Sequence, residues 1–158
     1  SQFKALRSST TKLISNDAMS YSILIDENID RDSTYNGLRL FANAEKEIEY
    51  NNLSLAKQYL DSINSSYLYH PLFDEVLILR AEISILEKEF EQAKEYLKES
   101  LKKYPYELTA DDALYILSDI YLNQTKEISL AKETLEKIII DYPNSIYVIE
   151  ARKLLSKL

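Results

Sequence analysis

The chain has 158 residues, 46 % of them apolar, with one Gly, three Pro and no Cys, and its 26 acids against 19 bases leave a net charge of −7. That composition excludes intrinsic disorder, a disulfide framework and thiol chemistry, and, for want of Gly at positive-φ turns, a β-sandwich or barrel. The acidic balance disfavours nucleic acid and anionic lipid and suits a basic or apolar protein partner, although solubility alone accounts for it equally well.

The chain opens on Ser1-Gln2-Phe3-Lys4, without Met or a signal peptide, and reads as one soluble segment of a longer protein. No run of about 18 apolar residues offers a membrane span. Residues 1–30 predict a degenerate helical pair: Ala18, Ser22 and Ile25 stand 38 residues before Ala56, Leu60 and Ile63. Residues 35–67 predict the first clear pair. Leu38, Phe41, Ala44, Ile48 and Tyr50 mark one helix, and Leu55, Ala56, Tyr59, Leu60 and Ile63 the next. Asn51-Asn52 makes the turn between them and is suited to capping the second helix.

Residues 71–105 predict the next pair. Pro71 suits a first helical turn, followed by Leu72, Val76, Leu79, Ile83 and Leu86 at helical period. Ala93, Tyr96, Leu97, Ser100 and Leu101 share a face of the second helix, which Tyr104-Pro105 ends. Residues 109–143 repeat the plan. Thr109 with Asp112 resembles a capping box, Ala113, Leu114, Leu117, Ile120 and Tyr121 form one helix, and Asn123 to Ser129 a polar connection. Leu130, Ala131, Leu135, Ile138 and Ile139 form the other helix, closed by Tyr142-Pro143. Residues 145–158 predict one amphipathic capping helix, with Tyr147, Ala151, Leu154, Leu155 and Leu158 on its apolar face.

Ala56, Ala93 and Ala131 stand 37 and 38 residues apart, each followed four residues on by Leu60, Leu97 or Leu135. A repeat of that length implies stacked helix pairs. The alternation of large and small residues resembles the tetratricopeptide repeat, of a bacterial type. It is carried by Leu77, Ala81, Ala93, Leu97, Ser100 and Pro105, by Leu114, Leu117, Ser118, Tyr121, Ala131, Leu135 and Pro143, and by Leu40, Ala44, Ala56 and Leu60. Arg80, Ser84, Ile138 and Leu68 depart from the pattern. The closing Tyr-Pro-Asn-Ser and Ala-Arg-Lys-Leu-Leu also resemble bacterial envelope repeat proteins of outer-membrane assembly and Tol-associated complexes. The resemblance implies an all-α, right-handed α-solenoid of antiparallel helix pairs over 1–158 as a single domain. It favours the periplasm, with the cytoplasm as the alternative.

By the same resemblance, the first helix of each pair lines a concave face. Three rows fall there: Phe41, Ile78 and Tyr115; Glu45, Glu82 and Asp119; and Ile48, Ile85 and Leu122. They imply an apolar strip beside a row of acids, a groove for a protein or peptide segment with basic and apolar residues. The same residues could equally pack against neighbouring helices. Domains of this family that clamp a terminal carboxylate use Lys, Arg and Asn at such positions, whereas the acids here would repel one.

No catalytic set, cofactor loop or metal cluster stands out. Asp26 to Asp32 begins like a calcium loop, but Arg31 and Gly37 occupy the places of its Gly and closing Glu. His70 is the only histidine and is expected in the turn before Pro71. Asp111-Asp112 fits a helix N-terminus better than a carboxylate pair. Three Asn-X-Ser/Thr triplets, at Asn52, Asn64 and Asn123, are what chance gives in so Ser- and Asn-rich a chain. The sequence therefore reads as a non-catalytic interaction scaffold without cofactor, nucleic acid or membrane insertion. An accessory domain of a larger membrane-associated transporter or enzyme, or a self-association unit pairing through Tyr147–Leu158, are the alternatives.

Overall fold

The computed structural model describes residues 35–67 and 70–158. The degenerate pair expected over 1–30, the calcium-like run Asp26 to Asp32 and Leu68 lie outside them. The regular elements among the described residues are all helices, with no strand. Seven α-helices follow in order: α1 Asn36–Glu49, α2 Leu53–Ser66, α3 Phe73–Leu86, α4 Phe90–Lys103, α5 Ala110–Asp119, α6 Ile128–Asp141 and α7 Val148–Leu155.

Links this short turn each helix back on its predecessor, so α1 packs along α2, α3 along α4 and α5 along α6. The turn chemistry is the same in all three pairs. Asn51, Lys88 and Lys126 take left-handed φ values of 60°, 63° and 59°. In the first two turns the next amide reaches back over a full turn and a half, from Asn52 to the Glu47 carbonyl and from Glu89 to the Ser84 carbonyl. That is a Schellman closure, which satisfies the orphan carbonyls of α1 and α3. Only Asn among these residues is at ease in that region.

The third turn differs. α5 runs on into a π-helical segment, Ile120–Gln124, and the Glu127 amide reaches the Tyr121 carbonyl. The extra residue that makes the later spacing 38 rather than 37 is taken up inside the helix. The polar connection expected from Asn123 is therefore helical up to Gln124.

Local caps are also not those expected. Thr109 makes no capping hydrogen bond; its Oγ1 donates to Asp74 Oδ2 at 2.8 Å and ties α5 to α3. Asn52 makes none either, since its Nδ2 donates to Glu47 Oε2 at 2.8 Å. Pro71 precedes α3 rather than opening it. His70 is buried there, and its Nδ1 accepts from the Leu72 amide at 3.2 Å.

Apolar side chains gather in three clusters along the chain, not around one centre. Phe41, Ala44, Leu60, Ile63, Val76 and Ile83 join α1, α2 and α3. Ala81, Ala93, Leu97, Leu117, Tyr121 and Ala131 join α3 through α6. Leu114, Leu135, Ile138 and Ala151 join α5, α6 and α7. Each of the larger helix contacts links elements one or two places apart in the chain. This is the quasi-one-dimensional packing of a solenoid. Ala44, Ala56, Ala81, Ala93 and Ala131 are fully buried, where helix axes approach within about 8–10 Å and larger side chains would wedge them apart.

Several residues that the helical period assigned to core faces are outside the core. Leu86 and Tyr50 are exposed, and so are Leu55 and Leu130, which occupy the same place one residue before the buried Ala of their helices. Arg80 stands where the repeat pattern wants an apolar residue. Its guanidinium instead pairs with Asp61 at 2.6 Å and lies 6.0 Å from the Tyr96 ring centroid. Most of the apolar face expected over 145–158 is covered: Ala151 is buried, and Tyr147, Leu154 and Leu155 pack on the third cluster, while Leu158 is exposed.

Candidate partner-binding face

The first helices α1, α3 and α5 carry the rows expected to meet a partner, and burial sorts those rows. Phe41 is 4 % exposed and belongs to the first core cluster, between Ala44 on its own helix and Leu60 and Val76 on α2 and α3. It cannot serve as a surface anchor, and it is withdrawn from the set. Its register on α1 is as expected, but the neighbouring pair closes over it.

Ile78, Ile85 and Leu122 are half-buried against the second cluster, which brings α3 and the π segment together. Ile48 borders the first cluster in the same way. Tyr115 is half-buried and stacks on Tyr147, with ring centroids 4.2 Å apart and planes 10° from parallel. This row is thus largely an edge of core, with part of each side chain left to solvent.

The acids are more open. Asp119 is exposed and accepts from Asn123 Nδ2 at 2.6 Å. Glu45 is half-buried. Glu82 is half-buried, and desolvation together with the Asp112 charge pushes its carboxyl above the usual range. Burial likewise raises Asp112, against the hydrogen bond from the Tyr147 hydroxyl, while Asp111 adds to the rise. The Tyr147 hydroxyl is pushed up in turn by desolvation and by that same bond. Among the described residues, no ion pair engages Glu82, Asp112 or Asp119.

Arg39, Lys46 and Arg80 stand on first helices, and the two lysines that bridge successive pairs stand on second helices. Lys57 of α2 pairs with Glu87 at 2.6 Å, and Lys94 of α4 with Glu127 at 2.6 Å and Glu91 at 2.7 Å. Each Lys directly follows a buried Ala and reaches the turn of the next pair. Lys94 is only 5 % exposed. Desolvation works to lower its pKa, but the hydrogen bonds to Glu127 and Glu91 prevail and hold it above the ordinary range. Its ammonium also sits 5.5 Å from the Tyr121 ring centroid, with Lys98 at 5.8 Å. Sequence reasoning passed over these clasps and the Tyr147–Asp112 contact. The Ala-Lys pair at 56–57, 93–94 and 131–132 was the available signal for the clasps.

The protein-family comparison matches residues 35–158, well over half of the chain, to the family described as outer membrane lipoprotein, YfiO. The chain belongs to that family. Its fold, a tetratricopeptide-like helical repeat, is the one seen here, and the family places the chain in the bacterial envelope, at the outer membrane and on the periplasmic side. No curated protein matches the chain. Among the described residues, no helix is long and apolar enough to cross a membrane. Nor does any group of three or more His, Cys, Asp or Glu among them have the arrangement of a metal site.

Proposed function

We propose that this chain is a non-catalytic scaffold that holds a protein or peptide segment against the first-helix side of its helix stack, within the envelope. The residues proposed to make the contact are Glu45, Glu82 and Asp119 with the exposed parts of Ile48, Ile78, Ile85, Tyr115 and Leu122. The repeats 35–67, 71–105 and 109–143, closed by 145–158, act as one unit that sets these rows side by side. The supporting observation is the charge at Glu82, half-buried beside Asp112 with no cation paired to it among the described residues. A Lys or Arg from a partner would relieve that repulsion, and the neighbouring apolar edges would seat its flanking side chains.

The test is titration of peptides that combine basic and apolar residues against the native chain and its Glu82→Lys variant. The expected outcome is binding that weakens about tenfold on charge reversal. Equal affinity for both chains would remove this face from consideration. Self-association through the Tyr147–Leu158 face is not proposed, because most of that face is already packed on α6.

A further inference from the structure

Beside the scattered Tyr50 and Ile140, several strongly exposed apolar side chains fall in or next to the two loops that follow α4 and α6. Tyr106 is 97 % exposed and Leu108 63 %, both in the loop between α4 and α5. Ile146 is 82 % exposed in the equivalent loop between α6 and α7, and Ile149 follows at 80 %. Leu108 and Ile146 hold the same place in successive repeats, counted from Tyr104-Pro105 and Tyr142-Pro143. They therefore fall on the same end of successive pairs. The loops are joined: the Tyr142 hydroxyl donates to the Pro105 carbonyl at 2.8 Å, and the Tyr147 hydroxyl donates to Asp112. A patch of bulky side chains on a fixed edge is unusual for a surface that meets only water.

Its charge is one-sided. Residues 104–112 hold Glu107, Asp111 and Asp112, and residues 141–150 hold Asp141 and Glu150, with no Lys or Arg in either segment. Lys103, at the border, is held by Glu99 one turn back. Asp111 acts on Asp112 and on Tyr142, and Tyr106 lies close enough to Tyr142 to act on it as well.

We infer that this loop edge is a second docking surface, separate from the first-helix rows, for an extended protein segment that carries Arg or Lys beside apolar side chains. Tyr106, Leu108 and Ile146 cover the apolar side chains, and Glu107, Asp111 and Asp141 meet the cations. Arg gains in addition by lying on the Tyr106 ring. A second copy of the chain is the poorer occupant, since a net charge of −7 opposes self-pairing.

The full chain, isotopically labelled, is titrated with a peptide of alternating Arg and Leu, and with a Glu-Leu peptide as the control. The amide signals of 104–112 and 141–149 are followed. With Arg-Leu these signals shift and saturate; with Glu-Leu they do not. Tyr106→Ser, Ile146→Ser and Asp111→Asn each move the midpoint at these amides about tenfold to weaker binding, while circular dichroism stays unchanged. Glu45→Lys, on α1 at the other end of the first-helix rows, leaves that midpoint in place, which separates this edge from those rows. Still signals at both segments, or shifts confined to Ile78, Glu82 and Leu122, would overturn the inference. So would a molar mass that rises with concentration and falls back in Tyr106→Ser, because the edge would then belong to a second copy.

Discussion

Ser100 of α4 is fully buried, and its hydroxyl finds no hydrogen-bond partner. The other buried hydroxyls do better: Ser84 Oγ donates to the Arg80 carbonyl at 3.0 Å and Thr134 Oγ1 to the Leu130 carbonyl at 2.7 Å. Ser100→Ala keeps the small size and removes the stranded polar atom, so it is expected to stabilise the fold by about 1 kcal/mol, measured by urea unfolding. Glu82 gives a pH signature. Its carboxyl is raised in the folded chain, so between the unfolded and folded pKa the native state holds the extra proton. Stability therefore falls as pH rises through that interval and stays reduced above it. Glu82→Gln is expected to raise the urea midpoint at neutral pH and to shrink the gain seen on acidification. A lower midpoint at neutral pH would show that the charge is stabilised by something other than what surrounds it here. Phe41 shows where residue-level reasoning stopped. Its repeat register was legible, but whether a side chain in that register faces a groove or a core depends on how closely the next pair docks, and α1 touches α3.

At the scale of elements, the helices were legible because only small residues fit where axes nearly touch, and Ala44, Ala81 and Ala93 mark those places. The Tyr-Pro stops were legible too, with α4 ending at Lys103 and α6 at Asp141. The third turn was not. Counting residues reveals one extra between Leu122 and Lys126, but Asn123-Gln124-Thr125 has the composition of a loop, and the choice between a longer loop and a π-helical turn is settled by packing of Ile120 and Tyr121 in the second cluster. The turns also make a prediction. Lys88 and Lys126 hold left-handed φ values that cost a side-chain-bearing residue about 1–2 kcal/mol. Gly escapes that cost but loses more entropy on folding. Lys88→Gly is therefore expected to gain somewhat less, about 0.5–1 kcal/mol, and Lys88→Asn to gain in the same direction. Thermal unfolding of both variants checks this, and a loss in both would mean that the Lys88 side chain contributes more than its backbone costs.

On the scale of the whole molecule, the charge pattern and the packing pattern share one origin. Each pair hides its apolar stripe against the next, and Lys57 and Lys94 clasp the following turn. Those two lysines are thereby committed within the stack, while Glu82, Asp112 and Asp119 are left without an ion pair among the described residues. The sequence carried the net charge but not these pairings, because the clasps join residues 30 and 33 apart and the Tyr147–Asp112 bond spans 35. Only the layered stack brings them together. The most direct test of that layering is native-state hydrogen exchange on Ile138→Ala. Ile138 is fully buried in the third cluster, and its truncation is expected to cost about 2–5 kcal/mol. In a stack, protection falls chiefly in α5, α6 and α7, while the most protected amides of α1, α2 and α3 keep most of theirs. An equal fall in all seven helices would mean a single cooperative core, and the division into layers on which both proposed surfaces stand would be wrong.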